Sequence, residues 1–436
     1  MLIFRRQTVP LLSCLFFIQW TPSYGNAEDN PVSSAKATSS TKSGYKNDGT
    51  LEGPDGVASE LSQDDIDTGA VFTPPILDGT IQPWFDLKRE WNEKYGLQLG
   101  FSYNALYQGA SETSTLEDAA AGGRFQGQGM WTLLGRKTKN PGMVSFRVED
   151  RHRLGTDIPP TKLGSQFGSA NVTGGGFSDF EFALTELAWR QTILDGKMKF
   201  GFGKISAVSW YNTYALSSAL TGFQNLALQS SATKPAVGRG LGAVAGFRLG
   251  ENFALLTGIH DANGVTSGNP FDTIDETNFY YSAELRWFPT TFDRRKWDQV
   301  RLQAWYVDES HQGATPSGYG ASLAASRLYK DRYMPFLLAG FSDGGASIIK
   351  TDVTAGIAFA FNTKHRAARD VLGMSVNWGS PFDNALNEQV TSELFYRFQL
   401  FKNLAFTPSV QYIADPSYNA TEDSVWLAGI RGRMTF

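Results

Sequence analysis

The chain has 436 residues, 45 of them glycine, with 13% aromatic residues, one cysteine and a formal net charge of −4. So even a balance, without any basic block, argues against a nucleic-acid partner. Past residue 20 no apolar run approaches the ~20 residues of a membrane-crossing helix, so a membrane form of this chain must cross with strands.

Taken in chain order, residues 1–27 are expected to be a secretory signal peptide. Arg5 and Arg6 supply the charged start, residues 9–20 the apolar core, and Gly25 or Ala27 the small residue before cleavage. Cys14 closes an LLSC sequence of lipoprotein type, but Leu15, Phe16, Phe17 and Ile18 carry the apolar core past it. Cys14 is therefore assigned to the removed peptide, which leaves the mature chain without a thiol, a disulfide or a cysteine metal site. Residues 28–80 are rich in Ser, Thr, Gly, Asp and Lys and poor in large apolar side chains. They are predicted to form a flexible, low-complexity periplasmic segment. Residues 81–96 are predicted as one short amphipathic helix, with Trp84, Leu87 and Trp91 at helical spacing and Gly96 as the stop.

From 97 to 436 the pattern has a period of two. Leu97, Leu99, Phe101, Tyr103, Ala105 and Tyr107 share one parity; Gln98, Gly100, Ser102, Asn104 and Gln108 share the other. A two-faced strand of that length matches the ~9–11 residues of a tilted membrane strand. Similar segments lie near 125–136, 142–152, 178–192, 196–204, 239–249, 252–262, 278–288, 297–308, 319–328, 332–341, 352–361, 370–379, 388–400, 403–413 and 425–436. Those at 178–192 and 332–341 change parity partway, which predicts bulges. Long connections (109–124, 153–177, 205–238, 263–277, 309–318, 414–424) mostly alternate with short ones, while 289–296 and 362–369 are longer and basic. A soluble sandwich has no reason for that alternation, whereas a barrel with long outer loops and short inner turns does. The predicted class is therefore all-β: a transmembrane antiparallel β-barrel of about 16 strands with a short N-terminal helix.

An Arg or Lys placed against lipid at mid-membrane costs about 2–4 kcal/mol. Arg147, Arg286, Arg301, Arg397, Arg431 and Arg433, with Glu149, Glu284 and Glu393, all lie on the polar parity of their strands. They are expected to face a lumen that a barrel this wide does not fill with its own side chains. The last strand, VWLAGIRGRMTF, ends on Phe436 and resembles the C-terminal signal that outer-membrane barrels present to the barrel-assembly machinery. His152, His260, His311 and His365 lie far apart, no G-x-S-x-G occurs, and Gly174–Gly176 follows no strand-to-helix turn. No catalytic, metal or cofactor site is expected.

ELFYRFQLFKNLAFTPSVQYIADP at 393–416 resembles the strand–turn–strand near the end of carbohydrate-selective porins of the OprB family. DVLGMSVNWG at 370–379 is similar to the segment before it, and 84–103 and VSFRVEDRHRLG at 144–155 match more loosely. The resemblance implies a sixteen-stranded outer-membrane barrel with a helix near its periplasmic mouth. It also implies passive diffusion of glucose and related sugars through a narrow, charged constriction. The chain departs from the family pattern in lacking cysteines at 205–238 and in carrying residues 28–80. A sugar path needs groups that replace water around hydroxyls yet let go. The candidates are Arg147, Glu149, Arg151, Glu284, Arg286, Arg301, Glu393, Arg397, Arg431 and Arg433, with Trp305 and Tyr280 as stacking platforms. Loop 205–238, with Trp210, Tyr211, Tyr214 and Phe223, either folds inward or caps the outside. The expected partners are small sugars and membrane lipid, with homo-oligomerisation open; a general or anion-preferring porin is the alternative, and an enzyme is not expected.

Overall fold

The computed structural model describes residues 41–45, 50–72, 75–115, 117–363 and 366–436. The expected signal peptide and residues 28–40 lie outside the described residues, as does His365. One antiparallel sheet closes on itself. Its first eight strands are β1 (Leu97–Ala110), β2 (Ala119–Leu134), β3 (Gly142–Arg153), β4 (Phe180–Ile193), β5 (Met198–Ser206), β6 (Arg239–Leu249), β7 (Phe253–Asp261) and β8 (Phe279–Trp287). The others are β9 (Gln299–Val307), β10 (Gly318–Ser326), β11 (Tyr333–Asp343), β12 (Ile349–Thr363), β13 (Arg366–Pro381), β14 (Gln389–Phe401), β15 (Leu404–Ala414) and β16 (Ser424–Thr435). Each strand pairs with its sequence neighbours, and β1 closes the barrel on β16 from Ser102 opposite Thr435 to Ala110 opposite Leu427.

The period of two places the side chains. On β9, Gln299, Arg301, Gln303, Trp305 and Val307 are buried inside, while Leu302 is 55% exposed on the outer wall beside Tyr306. Leu394, Trp426 and Ile430 are likewise exposed outside, the apolar band that lipid requires. The bulge expected near 178–192 is present. Arg147 faces Glu186 while Val148 faces Leu184, so Thr185 is extra and both Thr185 and Glu186 point inward. The parity change at 332–341 has a different cause. β11 pairs without a register break, and its inward positions are themselves apolar: Met334, Phe336 and Leu338 are buried. They meet protein inside the barrel instead of water. At 362–369 the strands run on to Thr363 and from Arg366, so the connection is shorter than expected.

The helices also differ from expectation. α2 spans Pro75–Tyr95, starting earlier than residue 81 and carrying Pro83 inside it. Gly96 ends it in the left-handed region (φ 71°), its N–H bonded to Asn92 O at 3.0 Å. Trp84 packs 5.9 Å from Phe101 on the outer wall and 6.2 Å from Trp91, a placement suited to an interfacial aromatic. Leu87 is exposed, and the buried positions are Phe85 and Lys88. Burial among the Tyr45, Trp84 and Phe85 rings pulls the Lys88 ammonium down to about 8. The segment expected to be flexible contains α1 (Val57–Asp64), six of whose residues are buried. Its few apolar side chains suffice because they enter a cavity the barrel already provides: Val57 and Leu61 pack on Met130 and Met143. Among the described residues no helix is long and apolar enough to cross a membrane.

Candidate functional site

Charged residues line the inner wall in three groups. The first centres on Glu149 of β3. Its carboxylate accepts Arg124 Nη2 at 3.1 Å, Arg151 Nε at 2.8 Å, Arg239 Nη1 at 3.1 Å and Thr185 Oγ1 at 3.0 Å. Three guanidinium groups on one carboxylate leave a net positive patch. The Phe180 ring covers Arg151 at 4.8 Å, a cation–π contact.

The second group lies on β8 and β9. Arg286 Nε meets Glu284 Oε1 at 2.6 Å, and Arg301 lies 3.5 Å from the same carboxylate. Arg301 Nη1 donates to Thr213 Oγ1 at 2.7 Å, and the Asn212 N–H donates to Glu284. The third group spans β14, β16 and β1. Glu393 accepts the backbone N–H of Gln224 at 2.9 Å and of Asn225 at 3.0 Å. Arg431 donates to the carbonyls of Ala219 and Gly222, and Arg433 donates to Asn104 Oδ1 at 2.9 Å.

Residues 207–238, between β5 and β6, fold into the lumen, which decides between the two expected placements. Tyr214, Phe223 and Leu228 are buried against Met334, Phe336, Leu338 and Phe395. The Tyr214 and Phe336 rings lie 4.7 Å apart, and Phe223 meets Phe395 edge-on at 4.9 Å. Asp352 of β12 accepts Ser231 Oγ at 2.6 Å and the Ala232 N–H at 3.1 Å. Lys234 Nζ donates to the Tyr211 carbonyl at 3.1 Å. Desolvation lowers its ammonium to about 8, although Glu284 and Asp352 pull the other way.

Arg147, Glu149, Arg151, Glu284, Arg286, Arg301, Trp305, Glu393, Arg431 and Arg433 are thus all buried on the inner side. Arg397 is half-buried near the turn end of β14. Trp305 and Tyr280, expected as stacking platforms, pack 6.4 Å apart in a cluster with Tyr211, so the inserted loop covers them. Several functional-looking residues were missed: Arg124, Glu186, Arg190, Arg239, Lys234 and Asp352. The bulge at Thr185 hid the inward parity of Glu186 and Arg190, and outward Gly123, Gly127 and Gly129 interrupt the apolar parity of β2, leaving Phe125 alone to mark Arg124 as inward. Among the described residues no group of three or more His, Cys, Asp or Glu could hold a metal. His152 sits on the outer wall between Asp150 (2.6 Å) and Tyr103 (3.0 Å), a satisfied polar strand end.

The model of the family described as "Carbohydrate-selective porin, OprB family" matches residues 117–436. The chain belongs to the OprB family of carbohydrate-selective porins. Among solved structures it is similar to Pseudomonas putida OprB at high pH, with 15% identity, a TM-score of 0.66, and coverage of 81% of this chain and 97% of that one. It is also similar to a mutant of the Rhodopseudomonas blastica porin, with 12% identity, a TM-score of 0.50, and coverage of 78% of this chain and 100% of that one. No curated protein matches. As an OprB-family porin, the chain is an integral β-barrel of the outer membrane, a sugar-selective channel and not an enzyme. Its long-loop end is then the outer face and its short-turn end, where α1 and α2 lie, the periplasmic one.

Proposed function

We propose that this porin passes glucose and related neutral sugars by passive diffusion, and that sugar hydroxyls are met at the Glu149-centred group. The observation that supports this reading is the convergence of Arg124, Arg151 and Arg239 on one carboxylate beside the Phe180 ring. Guanidinium N–H groups, those of the least buried Arg239 first, donate to hydroxyl oxygens, Glu149 holds the three arginines from behind, and the ring offers an apolar face to a pyranose. Because the arginines already pair with Glu149, a sugar exchanges with existing bonds instead of filling a deep well, which lets it leave. Arg147, Glu284, Arg286, Arg301, Glu393, Arg431 and Arg433 serve this path by holding what lies in the lumen. Phe436, beside Phe101 at the end of β16, is proposed as the end that the assembly machinery reads, and the outward wall as the lipid contact.

Liposome swelling over a panel of sugars tests the reading. Parent protein is expected to admit monosaccharides faster than disaccharides, and Arg239→Ala to lower the monosaccharide rate several-fold in a still-folded barrel. Equal rates for all small solutes, with strong chloride preference in bilayer recordings, would instead support the anion-preferring alternative that the excess of arginine over carboxylate favours.

A further inference from the structure

Residues 50–64 precede the stretch matched by the family model, yet they occupy the lumen. Their path touches the inner wall at many points. Arg286 Nη1 and Arg295 Nε donate to the carbonyls of Leu51 and Thr50. Glu52 pairs with Arg190 of β4 at 2.6 Å, and Gly53 N–H donates to Ser209 O of the inserted loop at 2.7 Å. Glu60 on α1 meets Arg147 of β3 at 2.9 Å and accepts Gln126 Nε2 of β2 at 2.6 Å. Asp64 meets Arg433 of β16 at 2.6 Å.

The wall carries matching recesses. A Cβ on inward-facing Gly100 would lie 2.8 Å from Leu61 Cδ2, and one on Gly246 would collide with Leu51 Cδ1; on the inset's own side, a Cβ on Gly53 would lie 2.6 Å from Thr213 Oγ1 of the inserted loop. Such contacts are those of a built interior, where side chains fill the space that the facing backbone leaves.

We propose that residues 50–64 form a resident inset that narrows the periplasmic half of the pore and sets its charge. Glu52, Glu60 and Asp64 bring negative charge to Arg190, Arg147 and Arg433: Arg190 also keeps Glu186 of its own strand at 2.6 Å, whereas Arg147 and Arg433 would otherwise face water and draw anions into the channel. The segment therefore determines specificity in two ways. It removes cross-section, which restricts solute size, and it brings the lower lumen close to neutrality, which suits an uncharged solute. This inference rests on the chain's being a conducting sugar porin, as its family membership establishes.

The test compares parent protein, the double variant Glu52→Gln/Glu60→Gln, and a deletion of 50–64 in planar bilayers and liposomes, with folding checked by heat-modifiable migration in gels. In a potassium chloride gradient the double variant should move the reversal potential toward chloride. The deletion should raise single-channel conductance at least twofold and bring disaccharide swelling rates close to monosaccharide rates. A folded deletion protein with parental conductance and selectivity would overturn the proposal. Should the deletion not fold, Ala58→Cys in a Cys14→Ser background decides the matter. Slow labelling of the full-length protein by a membrane-impermeant maleimide is expected, and fast, complete labelling would show the segment outside the pore. Failure of the parent itself to conduct or to admit sugar would count against the porin reading and not against the inset alone.

Discussion

Glu393→Ala tests whether the inserted loop is held by the wall or merely rests against it. In the parent, the carboxylate accepts the backbone N–H groups of Gln224 and Asn225, while Arg431 grips the same stretch through the carbonyls of Ala219 and Gly222. Alanine leaves two buried N–H groups without their acceptor, at about 1–3 kcal/mol each. Part of this is returned, because a carboxylate no longer has to be kept out of water. A net loss of about 2–4 kcal/mol, at ~1.4 kcal/mol per tenfold, raises the undocked-to-docked ratio of the loop roughly 30- to 700-fold. Single-channel recording reads this directly as time spent in a wider, noisier conducting level. Glu393→Gln keeps one acceptor oxygen and should fall between parent and Glu393→Ala. If Glu393→Ala folds, melts like the parent and shows no new conducting level, the wall contacts do not hold the loop and the argument fails.

Lys234 should make ion preference depend on pH. Its ammonium titrates near 8 in the docked loop against an ordinary 10.5, so one positive charge leaves the lumen as pH rises through 8, and docking strengthens between 8 and 10.5 because only the undocked lysine still binds the proton. Chloride preference should decline from pH 7 to 9, and Lys234→Met should make that decline shallower. Phe336→Ala deletes the ring against Tyr214 and Phe223 at a cost of about 3–5 kcal/mol, read as a lower melting temperature and a mobile loop within an intact sheet. On the outer wall, Leu302→Lys should lower stability by about 2–4 kcal/mol in urea unfolding from lipid vesicles, with Leu302→Met near neutral. Equal stability of the two would mean that Leu302 does not face lipid.

The wall was legible in the sequence because each strand carries its own evidence: parity separates Arg301 from Leu302 without knowledge of any neighbour. What entered the wall was not. Met334, Phe336 and Leu338 looked like a break in alternation, since the simple rule assumes water inside, and here the inside is protein. α1 escaped for a related reason. Its surroundings are polar on average, and the four-residue spacing of Val57 and Leu61 is the one helical signal they carry. Composition measures whether a segment can fold alone; it does not register a cavity supplied by residues hundreds of positions away. The charged site was half legible for the same reason: Glu149 and Arg151 declare their direction and Arg124 sits opposite Arg151 on the neighbouring strand, but only the curved wall brings Arg239, three strands away, to the same carboxylate.

The β1–β16 seam carries a consequence of its own. It pairs Ser102 with Thr435 and Ala110 with Leu427, partners more than 300 positions apart, through the same antiparallel ladder that hairpin neighbours use. Loop-closure entropy grows only logarithmically with length, so joining such distant partners costs just about 2 kcal/mol more than closing a loop of thirty residues. Energetically the seam is one joint among sixteen. The barrel wall can therefore be circularly permuted: opening the chain just after Phe401, in the two-residue turn before Leu404, again ends the last strand on an aromatic, and leading β16 into β1 through the residues that precede β1 preserves every rung, so a tag, a tether or a second module can be placed at a new point of the periplasmic mouth.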